Sequence, residues 1–216
     1  MQRVSAFATA VLMIALLFTW NAPPAHTQAA PNPAKVTDLK MALRGLLTDH
    51  IFWVRSLVIA TRLGDRAEAS VSDANGTENA RAIGRSIAPI YGQAAGEKFA
   101  TLFVGHYSAV KDYMRAAFAN NYKGSAALEK TAQDRLTKNA TDIAAFLSSA
   151  NPNLPNGTVY ALLVAHAGHH IAAINATAKK DWAAEAKVWD PMVMHIDTIA
   201  DALADAIAKQ FPDKFR

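Results

Sequence analysis

Apolar residues return every three or four positions along most of the chain beyond residue 37, and alternating stretches are almost absent, the pattern of amphipathic helices. Thr37-Asp38 can cap a first long helix that runs to about Leu63, where Gly64 stops it. Asn75-Gly76-Thr77 reads as a turn feeding a shorter helix over about 78–90, ended by Pro89 and Tyr91-Gly92. A third helix covers about 93–120 and stops at Asn120-Asn121. A fourth spans about 125–149, closed by Asn151-Pro152-Asn153-Leu154-Pro155-Asn156-Gly157, the densest turn signal in the sequence. A fifth runs over about 158–179. In the last region, about 182–211, Asp190-Pro191 predicts a kink or a restart, because an internal proline loses a hydrogen bond and clashes with the preceding turn. The expected fold is therefore all-α: one antiparallel helical bundle over 37–216. Four long helices (the first, third, fifth and last) surround the core, and two shorter ones pack alongside.

Ahead of the bundle the pattern changes. Met1-Gln2-Arg3 gives a positive start, Val4 to Trp20 is an uncharged apolar run, and Thr27-Gln28-Ala29 offers small residues where a signal peptidase cuts. Residues 1–29 read as a signal peptide cleaved after Ala29, with Ala30 an equally workable site; retention as an anchor is the alternative. The segment 30–36, rich in Pro, Asn, Ala and Lys, reads as a flexible tether. The expected location is periplasmic or secreted, with no stable membrane insertion once the leader is removed.

Composition narrows the chemistry. The chain has no cysteine, so no disulfide holds it together and cysteine-based zinc, iron–sulfur and c-type haem sites are excluded. Its formal charge of +4 is spread among interleaved acidic and basic residues, which gives no case for nucleic-acid binding. Neither a Gly-rich phosphate loop nor a Gly-x-Ser-x-Gly elbow is present.

Histidines supply the one recurring chemical feature. The phrase Leu-(Leu/Phe)-x-x-His occurs at Leu46–His50, Leu102–His106 and Leu162–His166. Two of these follow a shared phrase, Asn79-Ala80-Arg81-Ala82-Ile83 and Asn139-Ala140-Thr141-Asp142-Ile143, at the same offset. The match argues for an internally duplicated short-helix/long-helix unit. Asn79 and Asn139 are expected to cap or bridge helices within it. With alternating helix direction the first, third and fifth helices run the same way, which can bring the three histidines to one height.

Spacing of three and four places His50, His106, His166 and His195 on the apolar stripes of their helices, with His170 one turn beyond His166. An imidazole buried without partners costs on the order of 1–3 kcal/mol per unsatisfied group, a cost that mutual proximity around a cation would offset. His50, His106, His166 and His195 are thus candidate ligands of a metal ion, with His170 auxiliary. Imidazoles suit zinc, copper, iron or nickel, and Met192-Val193-Met194-His195 adds a slight lean to copper. Two other readings stand beside this one: a non-catalytic bundle whose histidines form a buried hydrogen-bond network, and a small-molecule site built from Asp49, His50, Trp53 and Arg55.

Two resemblances accompany these residues. The ligand order single, single, pair at i, i+4, single resembles that of hemerythrin-type bundles, carried here by His50, His106, His166 with His170, and His195. Those bundles add bridging carboxylates at places where this chain has Val110 and Ala200. The resemblance therefore implies a histidine centre without the di-iron carboxylate bridge, one suited to binding more than to oxidation. The stretches His50-Ile51-Phe52-Trp53-Val54-Arg55, Tyr91-Gly92 and Asp142–Ser149 followed by Asn151-Pro152 look like a bacterial helical-bundle family of no assigned activity. Labels such as acetylglutamate kinase or glycosyltransferase attached to some of its members would imply nucleotide loops on an α/β fold, and this sequence has neither.

Overall fold

In the computed structural model, residues 31–216 are described; the expected leader at 1–29 lies outside the described residues. The chain forms α1 (Pro33–Leu63), α2 (Arg66–Arg85), a single turn α3 (Ala88–Tyr91), α4 (Gln93–Tyr122), α5 (Ala126–Ala150), α6 (Asn156–Ala178) and α7 (Trp182–Gln210), followed by a 3₁₀ turn at Pro212–Phe215. The described residues contain no strand. Most of the expected tether is the start of α1. Asn32 caps that helix by accepting from the Ala34 N–H, and Pro33 occupies the first turn, where no amide donor is needed. Thr37, expected as a cap, lies inside the helix and donates its hydroxyl to the Pro33 carbonyl.

The turn expected at Asn75-Gly76-Thr77 does not form, and α2 runs straight through it. Asn75 and Thr77 satisfy their side chains on their own helix, bonding the carbonyls of Val71 and Asp73 one turn back. Gly76 is there for packing: a Cβ would overlap the Tyr107 ring. Gly84 is tighter still, since a Cβ there would run into the Ala100 backbone. These two glycines let α2 lie against α4, and reading Gly76 as part of a turn mistook close approach for loop punctuation. Helix α2 ends at Arg85, short of the expected 90, and Pro89 opens the single turn α3 and does not close a helix. The helix ends at Gly64 and at Asn120-Asn121 follow their signals. Gly64 ends α1 at φ 81°, and Asn120, Asn121 and Tyr122 take left-handed conformations at φ 55°, 57° and 65° where α4 ends. Helix α7 neither stops nor restarts at Pro191.

Consecutive helices are neighbours (α1 on α2, α2 on α4, α4 on α5, α5 on α6, α6 on α7) and α7 returns to α1, closing a ring. Short connections make these neighbours antiparallel, so α1, α4 and α6 share one direction and α2, α5 and α7 the other. Helix α6 also reaches across to α1 and α4. It carries no Asp, Glu, Lys or Arg, and by length and composition it could cross a membrane; here its inward side is packed into the bundle. The core is continuous, from Leu43 and Ile51 on α1 through Tyr107 and Tyr113 on α4 to Ile143, Ile174 and Ile196.

One end of the bundle is laced by polar groups. Tyr91 donates to Gln210 Oε1 at 2.8 Å, Asn151 Nδ2 donates to the Tyr91 hydroxyl at 2.9 Å, and Gln210 Nε2 donates to the Ala150 carbonyl. The Asn32 amide donates to the Phe215 carbonyl at 2.6 Å, joining the start of α1 to the residues after α7.

Replacing Gly84 by Ala should destabilise the bundle by about 1–3 kcal/mol through overpacking. Gly45→Ala, which meets nothing within 4 Å, should be neutral or slightly stabilising. Urea denaturation of both variants followed by circular dichroism checks this; equal stabilities would mean that α2 and α4 do not approach so closely.

Candidate metal centre

Three parallel helices each carry a histidine on the inward stripe, and α6 carries a second one a turn later. His50 on α1, His106 on α4, and His166 and His170 on α6 are all buried, with at most 4% of their surface exposed. Each offers one ring nitrogen to a group whose members all lie within 4.8 Å of one another. Ring centroids separate His50 from His106 by 5.6 Å, His50 from His166 by 5.9 Å, and His106 from His166 by 5.7 Å, so the three helices contribute at one height. A tetrahedron with that 4.8 Å limit as its edge has its centre about 2.9 Å from each vertex, against zinc–nitrogen bonds of about 2.0–2.1 Å. Shifts of less than about 1 Å per ring would bring four nitrogens onto one ion.

The cluster is short of hydrogen bonds. Nε2 of His166 and Nε2 of His170 face each other at 3.1 Å, so one donates and the other accepts. Both nitrogens of His50, Nε2 of His106 and Nδ1 of His166 find no partner among the described residues. Burial drives all four imidazoles toward the neutral form. The His50 pKa falls to about 3, with the neighbouring His106 adding to the effect. That of His106 falls to about 4, burial outweighing an opposing contribution from Asn139. His166 and His170 are lowered well below the ordinary range by burial and then by the other histidines. Neutral imidazoles with free lone pairs are the form that binds metals.

His195 and His170 exchange their expected places. His170 belongs to the four, because i and i+4 point the same way along α6. His195 is half-buried on α7, and its Nε2 is engaged at 2.9 Å by the Leu162 carbonyl, so the cluster does not include it. Of the two methionines beside it, Met192 is buried and Met194 is 71% exposed, which removes Met194 from any inward site. At the positions where hemerythrin-type bundles place bridging carboxylates, Val110 and Ala200 are buried core residues.

The contact made by His195 has two counterparts. Asn79 Nδ2 on α2 donates to the Leu46 carbonyl at 3.0 Å, and Asn139 Nδ2 on α5 donates to the Leu102 carbonyl at 2.9 Å. Leu46, Leu102 and Leu162 each lie four residues before a cluster histidine. An outer helix thus grips each inner helix at the same turn, and the asparagines bridge helices as expected from their repeated phrase. Side chains on a helix lean toward its N-terminus, so each gripped turn is the one its histidine ring covers. Asn139 also lies close enough to His106 to oppose part of the fall in its pKa.

The pocket imagined around Asp49, Trp53 and Arg55 is not assembled. Asp49 is exposed, and the Arg55 guanidinium bonds both carboxylate oxygens of Glu185 at 2.6 and 2.8 Å with Trp189 stacked 5.1 Å away. Glu185 is only 4% exposed and shares a small pocket with His170. No local sequence pattern marks it, since its partner lies on a helix 130 residues earlier.

Compared with known proteins, the chain matches no family model, no curated protein and no solved structure.

The depressed pKa values fix a pH dependence for the metal-free protein. Unfolded histidines take up protons near pH 6.5, whereas His50 and His106 in the fold resist protonation until about pH 3 and 4. Their contribution to stability is complete above pH 6.5 and is lost as the pH falls toward 4, at about 1.4 kcal/mol per pH unit for each histidine. Denaturant titrations between pH 7 and 5 should show this slope, reduced in His50→Leu and His106→Leu; slopes unchanged by both substitutions would contradict it.

Proposed function

We propose that this protein is an exported bundle that binds one transition-metal ion through His50, His106, His166 and His170. The observation that carries the reading is the convergence of one ring nitrogen from each of four buried histidines within 4.8 Å, with nitrogens of His50, His106 and His166 left without a hydrogen-bond partner. A buried hydrogen-bond network accounts for the cluster less well, because the four rings make one hydrogen bond among themselves. Four imidazoles without a carboxylate fill a tetrahedral zinc shell and leave no position for a water. With zinc the site holds its ion and does not activate a nucleophile; copper, nickel or iron remain compatible with the same donors. Asn79 and Asn139 fix the turns that carry His50 and His106 and so orient two of the ligands. The leader-like pattern at residues 1–29 supports export to the periplasm or beyond.

Elemental analysis of untagged protein, reconstituted with zinc or copper and dialysed, tests the reading. One ion per chain is expected, falling to near zero in His106→Ala/His166→Ala. His195→Ala should keep its ion, and Asn139→Ala should bind about 10–100-fold more weakly. Near-zero metal in the unaltered protein would overturn the proposal in favour of the hydrogen-bonded cluster.

A further inference from the structure

The histidine cluster has a neighbour of a different character. Between the cluster and the laced end of the bundle lies a largely enclosed cavity of about 60 Å³ whose lining is almost wholly apolar. Phe103, Ile143, Leu163 and Ile196 form its walls, with His106 and His166 at its head. Three other polar residues reach it, and each is already engaged. Ser86 donates to the Ile83 carbonyl, Tyr91 to Gln210, and Asn151 to Tyr91.

A water molecule held in such a space needs two to four polar partners, and those on offer are the unpaired His106 Nε2 and His166 Nδ1, both at one end. The rest of the cavity is the kind that stays dry and accepts apolar guests. Its extent and volume limit the guest. Along α6 the wall runs from Val159 to His166, about 10 Å at 1.5 Å per residue. At about 10–15 Å³ for each water-sized occupant, the volume of about 60 Å³ admits on the order of four to six small groups.

We propose that this cavity is a binding site for a short, unbranched, uncharged apolar molecule, held with one end against His106 and His166. Such a ligand would be the immediate neighbour of an ion bound by the cluster, and the site would present one to the other. The proposal concerns the space and not the ion, so it is read on metal-free protein. Absence of metal would leave it standing, and an empty cavity would leave the metal reading standing.

The test uses methyl-labelled, metal-free protein exposed to xenon, to n-pentane and, as a bulkier comparator, to benzene. Saturable NMR shifts are expected with xenon and n-pentane in the methyls of Ile143, Leu163 and Ile196 and in the ring protons of His106 and His166, and not with benzene. Ile143→Phe, or Leu203→Phe at a half-buried wall position should the first not fold, should abolish the n-pentane shifts. The proposal is overturned by an absence of saturable shifts, by shifts that survive both fillings, by methyl shifts that leave the two histidines unmoved, or by water-to-methyl cross-peaks along the cavity wall.

Discussion

Burying four imidazoles side by side in an apolar core leaves ring nitrogens without hydrogen bonds, and this debt organises the structure. Each orphaned polar atom in such a place costs about 1–3 kcal/mol, and a protonated ring would cost far more. The fold concentrates the cost at one height of the bundle: along α1, α4 and α6 the other buried positions are mostly aliphatic or aromatic, with Thr177 on α6 and the unpartnered Tyr107 hydroxyl on α4 as exceptions. Phe103 presses edge-on against His50 with centroids 5.5 Å apart, shielding the cluster from one side. The Arg55–Glu185 pair and Trp189 lie on the side of His170. Since no carboxylate belongs to the group, an ion bound there would keep its full charge in a low-dielectric surrounding, and the geometry of neutral donors would have to stabilise it.

Position is secured from outside. Asn79, Asn139 and His195 each reach from an outer helix to a carbonyl one turn before a cluster histidine, so three outer helices register three inner ones by the same device. A carbonyl has two lone pairs, and each of these already serves its own helix with one of them. The added bond costs the helix little and fixes the axial position of the ring. In the third instance the bridging residue is itself a histidine, which explains why His195 shares the apolar context of the ligands and yet stands apart from them.

Much of this was legible in the sequence because helices announce themselves by periodicity and their ends by capping chemistry. Gly64, Asn120-Asn121 and the Asn151–Gly157 stretch mark real boundaries, and the phase of His50, His106 and His166 on their stripes places them inward. What misled was ambiguity of residue type. Gly76 can mean a turn or a close contact, and only the partner helix, with Tyr107 on it, decides. His195 and His170 look alike in local pattern; which one joins the cluster depends on how α7 is placed beside α6. Glu185 and the cavity could not be read at all, for both exist only between segments far apart in the chain.

The chain contains no cysteine, yet its inner helices carry donors at His50, His106 and His166, each about 60 residues from the next. An ion gripping all of them would tie two successive loops of the unfolded chain. By chain-entropy arithmetic, closing a loop of that length is worth about 4 kcal/mol, as much as a covalent bridge. The histidine cluster would then be this protein's cross-link, formed without an oxidant and undone by a chelator. Its strength would be set by the supply of metal where the protein resides and not by the redox state of that compartment.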